Sequence, residues 1–391
     1  MIDLVSVNQC TLCGACADCC QVGAISFRKE YRGNSYPQID MERCVNCQRC
    51  EQVCPVLNPA KTAPDREPIG YAAMHVDDTV RYNSTSGGVF AALADEILAE
   101  GGYVCGAVLT DDLQVEHIVS REHSQIARMR GSKYVQSRMT GIYRQIEELV
   151  KKNTPVLFSG CPCQAAALKA FLGKDYPSLY TVDVICHGIP SVSAWKAYLS
   201  MQEEKHMAKA VSVSFREKRK GWHSSAMRMC FSNGKEYACP TTADTYFRGF
   251  YGNVTLKESC YHCAFREFKS GADLTLGDFW GAEVVLPDMD DNKGLSAVLV
   301  HTEKGRTLFE KAGVQKRPVE LERILAGNRN LLESPPVSSI RESYYQYAES
   351  RGEEAAMKKH LCEPVCVGLK RKMRYALRYV KHAIRGEKTL Y

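Results

Sequence analysis

The chain has no uninterrupted apolar run long enough to cross a bilayer, so a helical membrane span is not expected. No charged-then-apolar leader opens it, which argues against export and against a disulfide framework of the kind small secreted chains use. No nucleic-acid recognition motif is present, so no nucleic acid is expected as partner. Acidic residues are almost missing from one place: between Val365 and Tyr391, Glu387 stands alone among Lys370, Arg371, Lys372, Arg374, Arg378, Lys381, Arg385 and Lys388. The net charge of +6 is therefore a property of the end of the chain, and the body is close to neutral.

Cysteine, by contrast, is abundant, with 19 in 391 residues. Without a leader, that number fits a reducing cytoplasm, and an anaerobe's in particular, where exposed clusters survive. Eight of them form one pattern twice. Cys10, Cys13 and Cys16 are followed by Cys20, and Cys44, Cys47 and Cys50 by Cys54 with Pro55 next. Three thiolates at three-residue steps let one tight loop cover a face of a cubane, and the fourth cysteine of each run ligates the other cluster in a two-cluster ferredoxin. The expected sets are Cys10, Cys13, Cys16 and Cys54 for one [4Fe–4S] cluster, and Cys44, Cys47, Cys50 and Cys20 for the second. The offset of 34 residues between the runs is an internal repeat. Structural zinc would leave the third closely spaced cysteine of each run without a role. Gln21 replaces the usual proline after the first run, and Cys19, beside Cys20, leaves that fourth ligand open between neighbours.

A chain this long needs more than a ferredoxin. The expected architecture is α+β overall: a two-cluster ferredoxin-like module over 1–58, then a proline-rich linker over 59–69 with Pro59, Pro64 and Pro68. An α/β domain with a mostly parallel sheet follows over 70–310, and a helical region with a basic tail over 311–391. Strands are expected at Ile69–Met74, Tyr103–Leu109, Val156–Phe158 and Tyr180–Ile185, and helices at Val89–Ala99, Ile142–Val150 and Ala165–Leu172, with Ser159–Gln164 as a loop. From Val211 the pattern turns β-like, and Asn233-Gly234 marks a hairpin in an added α+β subregion.

A second cysteine set lies where chemistry is expected. Cys163 in Gly160-Cys161-Pro162-Cys163-Gln164 and Cys186 in Cys186-His187-Gly188 each follow a strand, and ligands bind outside the carboxyl ends of strands in open α/β sheets. Cys260 and Cys263 add a Cys-x-x-Cys pair. Together they read as the ligands of a third iron–sulfur cluster, against core packing, a zinc site or a redox dithiol. Cys161 competes with Cys163. Cys105, Cys230 and Cys239 read as packed thiols, and Cys362 and Cys366 carry no assignment.

The runs Ser84-Thr85-Ser86-Gly87-Gly88-Val89-Phe90, Gly131-Ser132-Lys133-Tyr134-Val135-Gln136-Ser137, Ser159 to Gln164, Cys186-His187-Gly188-Ile189-Pro190, the Cys260/Cys263 pair and Gly277-Asp278-Phe279-Trp280-Gly281 occur in one order. With the cysteine-rich start, the chain resembles the coenzyme F-420 hydrogenase/dehydrogenase beta-subunit family in the version with an N-terminal ferredoxin domain. The resemblance runs from residue 1 to about 300. It implies FAD beside a [4Fe–4S] cluster held by Cys163, Cys186, Cys260 and Cys263. Ser84, Ser86, Gly87 and Gly88 stand at a helix start, where small residues and free amides make a phosphate site or an ordinary N-cap turn. Lys133 is expected to pair with the same diphosphate. Asp278 and Trp280 would line the flavin, and His187 would donate a hydrogen bond to cluster or flavin, with an exposed turn and a structural histidine as the plainer readings.

The resemblance further implies an oxidoreductase that passes electrons between ferredoxin-type clusters and FAD, with hydride exchange to a deazaflavin-like or other small molecule. The alternative is a non-catalytic electron-transfer subunit of a larger complex. Ferredoxin or another redox protein is the expected electron partner. No nucleophile or carboxylate pair stands out, and the cofactors would supply the chemistry. In the tail, Leu369, Met373, Ala376, Leu377, Val380 and Ile384 share one helical face, which suits an anionic membrane surface, the body of the protein or a partner subunit. The expected location is the cytoplasm, with peripheral contact at the inner face of the membrane through that tail.

Overall fold

The computed structural model describes residues 5–59 and 67–362. The basic tail, Cys366 and most of the expected linker lie outside the described residues.

The internal repeat is written into the backbone of the N-terminal module. Helices Ala15–Cys19 and Arg49–Gln52 carry the middle of each cysteine run, and a hairpin of β1 (Ile25–Tyr31) and β2 (Asn34–Ile39) lies between them. Leu12 and Asn46 have φ of 56° and 53°, and Gly14 and Gln48 have φ of 83° and 58°. Left-handed turns at matching positions of both runs, three of them at residues with a Cβ, are what let each loop curl around a common centre.

The remaining strands are β3 (Ile69–His75), β4 (Tyr103–Leu109), β5 (Val115–Ser120), β6 (Val156–Gly160), β7 (Leu179–Val184), β8 (Ala210–Glu217), β9 (Ala226–Phe231), β10 (Glu236–Pro240), β11 (Leu274–Asp278), β12 (Ser296–Val300) and β13 (Val314–Pro318). Eight of them form one sheet in the order β13-β3-β12-β11-β7-β6-β4-β5. Its central strands β4, β6, β7 and β11 run parallel, while β5, β12, β3 and β13 join antiparallel. The sheet is thus mixed, and the parallel pairing expected of most of it belongs to its middle, where three of its seven pairings lie. That middle is what positions the site, because the carboxyl ends of β6, β7 and β11 open on one edge.

Alternation along β6 shows how the layers form: Val156 and Phe158 face the helices Ile142–Lys151 and Pro162–Leu172, and Leu157 faces Val89–Ala99. The smaller sheet, β10-β9-β8, turns at Gly234 and packs with Val192–His206, Thr245–Tyr251, Arg341–Arg351 and Glu353–His360 around Trp195, Tyr198 and Tyr246.

Three expectations shift. The loop after β6 ends at Cys161, since Pro162 opens the next helix; Pro at a first helical position loses no intrahelical bond, and this places Cys163 in the first turn. The chain past residue 310 is more than helical, because β13 pairs with β3 and completes the large sheet. Strand β3 begins at Ile69, the residue expected to open it, and so takes the last residue of the linker expected over 59–69. No helix among the described residues is long and apolar enough to cross a membrane.

Candidate functional site

The first cysteine set is gathered as its spacing implies. Cys10, Cys13, Cys16 and Cys54 act on one another electrostatically, and burial pushes the Cys10 thiol up to about 12. Backbone amides of Leu12 and Ala15 point at Cys10 and Cys13. Near the other run, Cys19 neighbours Cys50, Cys20 and Cys47, with burial raising its thiol to about 12. The adjacent pair differs in its bonds: Cys20 Sγ accepts from Ala24 N–H at 3.2 Å, while the Cys19 thiol donates to Cys16 O at 3.2 Å. Cys47 is exposed.

This module is clasped to the main body on its first-cluster side. Asp18 Oδ1 accepts from Gly141 N–H at 2.9 Å and Asp18 Oδ2 from Tyr143 N–H at 3.0 Å, so a buried carboxylate of the module caps the helix Ile142–Lys151. Tyr143 Oη donates to Cys13 O at 2.7 Å, and Gln136 Nε2 to Leu12 O at 3.2 Å. The Lys257 ammonium donates to Thr11 O and, at 2.7 Å, to Gln136 Oε1.

Behind that seam is a small cavity of about 40 Å³ lined by Thr11, Cys163, Cys186, Lys257, Cys260 and Cys263 among others. Four cysteines from the helix after β6, the turn after β7 and the short helix Glu258–His262 thus converge on one space. Ile189 N–H donates to Cys260 Sγ at 3.4 Å, and Cys263 N–H to Ser334 Oγ at 3.0 Å. Gly188 leaves room for this approach: a Cβ there would lie 2.9 Å from Leu256 and 3.4 Å from Cys260 Cβ. Arg266 donates through Nη1 to Cys186 O and through Nη2 to His187 O at 3.0 Å, which pins the turn that carries Cys186. Burial pushes Cys260 up to about 11 and raises Cys163 and Cys263. A hydrogen bond from the Cys161 thiol holds Cys186 low and Cys161 high.

Those shifts test whether the donor set fits an iron–sulfur cluster. Cys163, Cys260 and Cys263 are raised by burial while Cys186 is held low, so three of the four sulfurs resist ionising, and bound iron is what removes that cost. Ser259 Oγ, Arg266 Nε and the hydroxyl of Tyr36, near Cys10 and Cys260, are buried with no hydrogen-bond partner among the described residues. Donors left open around these sulfurs suit an anionic, acceptor-only occupant.

Cys163 and Cys186 also line a second, larger cavity of about 450 Å³ outside the strand ends, within the range of small-molecule sites. Ser84, Thr85, Ser86, Gly88, Val89 and Phe90 form one wall. Gly88, with φ of 85°, starts the helix Val89–Ala99, and no side chain caps that helix. Ala91 N–H donates to Gly88 O at 3.0 Å, which leaves the amides of Val89 and Phe90, residues of the cleft wall, as a ready anion site. The hydroxyls are less available: Ser84 Oγ donates to Val80 O at 2.8 Å, Ser86 Oγ donates to Leu295 O at 2.8 Å, and Gly87 N–H donates to Ser296 Oγ at 2.9 Å.

Lys133 borders the same cleft, with its ammonium held by local carbonyls. Its ammonium donates to Arg128 O, Met129 O and Arg130 O at 2.7, 2.9 and 3.0 Å, so it caps the carbonyl end of the helix His123–Met129 and has no proton left for a diphosphate. His187 is likewise held, with Nε2 2.7 Å from Asn253 Oδ1 and Nδ1 3.3 Å from Asn330 Oδ1, although the residue borders the cleft. Asp278 borders it too, accepting from Trp222 Nε1 at 2.8 Å and pairing with Arg216 at 3.1 Å. Trp280 lies parallel to Trp222, with ring centroids 5.2 Å apart, and Arg216 covers it.

The sequence reading missed Lys257, Arg216, Arg266 and the return of Asn328 to Ser334 over the site. A lone buried cation leaves no periodic signal, and residues past 310 reach the cleft only because β13 turns the chain back. Cys105 is a buried thiol in the sheet core, as expected.

The chain is similar to known proteins over most of its length. Residues 9–58 match the family model of the 4Fe-4S dicluster domain. Two further family models describe the N-terminal and C-terminal parts of the coenzyme F420 hydrogenase/dehydrogenase beta subunit; the first matches residues 70–143 and the second residues 154–325. The chain is 21% identical over 334 residues to the F subunit of the F(420)H(2) dehydrogenase of Methanosarcina mazei, covering 79% of this chain and 83% of that protein. A chain of the F420-reducing [NiFe] hydrogenase complex from Methanosarcina barkeri superposes with a TM-score of 0.48 at 18% identity, over 73% of this chain and 94% of that one. The cysteine-rich start is thus a [4Fe–4S] dicluster domain, and the chain that carries it belongs to the coenzyme F420 hydrogenase/dehydrogenase beta-subunit family.

Proposed function

We propose that this chain is an iron–sulfur flavoprotein oxidoreductase in which FAD occupies the large cleft and a third [4Fe–4S] cluster the small cavity. The ligands would be Cys10, Cys13, Cys16 and Cys54 for the first cluster, Cys44, Cys47, Cys50 and Cys20 for the second, and Cys163, Cys186, Cys260 and Cys263 for the third. When bound, the clusters supply one-electron transfer and the flavin joins it to hydride exchange with a deazaflavin-like or other small molecule.

The carrying observation is a shared wall: Cys163 and Cys186 line both cavities, and Thr11, from the first cysteine loop, lines the smaller. The chain's residues then divide the work. Cys47 is exposed, which supports a second site at the surface, where ferredoxin or another redox protein would dock. Asp18, Tyr143 and Lys257 hold the first site against the third. The uncapped helix at Gly88 would receive the diphosphate, while Arg216 and the buried Trp222, both held by Asp278, would back Trp280 on the cleft wall beside the ring.

Anaerobic purification with iron, sulfide and flavin counted per chain tests this. About twelve irons and about one FAD are expected, at four irons per cluster. About eight irons without flavin would leave only the dicluster domain and overturn the reading. The name of the Methanosarcina mazei relative favours a second reading, an electron-transfer subunit of a larger complex. Turnover of coenzyme F420 by the isolated chain would exclude it.

A further inference from the structure

Lys257 is a buried residue with 3% of its surface exposed, in a place with two cysteine sets and no carboxylate partner among the described residues. Its ammonium donates to Thr11 O, in the loop between Cys10 and Cys13, and to Gln136 Oε1. Its main chain belongs to the third site: Lys257 N–H donates to Ile189 O, and Lys257 O accepts from Cys260 N–H. Burial works against its charge, and the sulfurs of Cys163, Cys260 and Cys161, with Tyr36, work for it. The same charge reaches Cys10 and Cys13 on the other side. Asp183, the only carboxylate lining the small cavity, is bonded instead to Thr275 Oγ1 at 2.5 Å. A buried ammonium without a counter-anion is costly, and here the groups able to carry negative charge are thiolates on both sides.

We propose that Lys257 is the shared counter-cation of the first and third cluster sites, a positioning residue that raises both reduction potentials and couples one site to the other. The inference rests on the third-cluster reading above. Reduction of a cluster adds one electron's negative charge, and a fixed cation a few bonds away stabilises the reduced form more than the oxidised. None of Cys20, Cys44, Cys47 and Cys50 lines the cavity that Lys257 borders, and Cys47 is exposed, so the second site serves as an internal reference.

The test is an anaerobic potentiometric titration followed by EPR on wild type, Lys257→Met and Lys257→Arg, with iron counted in each. Lys257→Met should make the first and third clusters at least tenfold harder to reduce at a fixed potential, a shift of about 59 mV for a one-electron couple, and leave the second unmoved. Lys257→Arg should stay near wild type. If Lys257→Met loses the iron of one or both sites and Lys257→Arg keeps it, the charge is needed to hold the anionic clusters, and the proposal stands. Full iron in Lys257→Met with unmoved potentials overturns it, as does loss of iron in both variants, which would make the side chain's shape decisive. A wild type with about eight irons would instead sink the third cluster itself, and that result is visible before any variant is titrated.

Discussion

The chain gathers cysteines in two ways, and the two regions differ in what each requires of the fold. In the dicluster domain three cysteines of each set come from one loop, curled by left-handed residues at Leu12 and Gly14 and again at Asn46 and Gln48. In the main domain Cys163, Cys186 and the Cys260/Cys263 pair come from three segments spread over a hundred residues, and they meet only after a sheet has formed. One region is therefore a sequence feature, and the other is a consequence of topology. The first should tolerate damage locally. The second should pass damage on to whatever shares its walls.

The largest expected effect separates them directly. Cys186→Ser should lower iron from about twelve to about eight per chain and remove most of the flavin, because Cys186 lines both cavities. Cys44→Ser should also cost about four irons, yet leave flavin content intact. Iron, sulfide and flavin assays on the two variants check this. Full flavin in Cys186→Ser would show that the cleft stands without the cluster.

The seam is the next place to break the comparison. Asp18 belongs to the local region and caps a helix of the assembled one, so Asp18→Ala removes a cap and leaves buried N–H groups of Gly141 and Tyr143 unpaired. The expected loss is about 2–4 kcal/mol. Anaerobic thermal unfolding should show it as a lower Tm, and Arg144→Ala, which removes only a half-exposed partner of Asp18, should do much less.

Acid should tell the regions apart as well. The dicluster domain, residues 9–58, contains no histidine, whereas His117 lies buried in the assembled region between Ser137 Oγ and Ser159 O. Burial pulls its pKa from 6.5 down to about 4. The folded state then binds fewer protons than the unfolded one. The stability this allows is complete above about pH 6.5 and is lost as pH falls through about 4. His117→Gln should reduce that loss by about 3 kcal/mol, read as a flatter Tm profile over this window. An unchanged profile would assign the acid sensitivity elsewhere, His301 being depressed in the same direction by burial.

How far each region could be read from sequence follows the same division. The eight N-terminal cysteines, the helix Val89–Ala99, the strand Tyr103–Leu109 and the hairpin at Asn233-Gly234 were all legible, because each depends on neighbours in the chain. Of the antiparallel strands flanking the sheet, β3 was legible as a strand, but its direction was not, since hydrophobic alternation carries no direction. Lys257, Arg266 and Ser334 were invisible for another reason. Their partners lie 64 or more residues away, at Thr11, Asn330 and Cys263, and a buried cation looks like any surface lysine or arginine until those partners arrive.

Lys133 is the opposite case, where a motif suggests a distant partner and the structure adds local ones. A lysine beside Gly131 and Ser132 looks free to reach a diphosphate. Yet the carbonyls of Arg128, Met129 and Arg130 lie three to five residues back, and a helix that ends there needs donors. Lys133→Met should thus cost about 1 kcal/mol of stability and leave FAD retention unchanged, the smallest of these effects. A several-fold loss of flavin at unchanged Tm would mean that the ammonium leaves its carbonyls when a diphosphate binds. Equilibrium dialysis with FAD on the variant decides between a local cap and a residue of the assembled site.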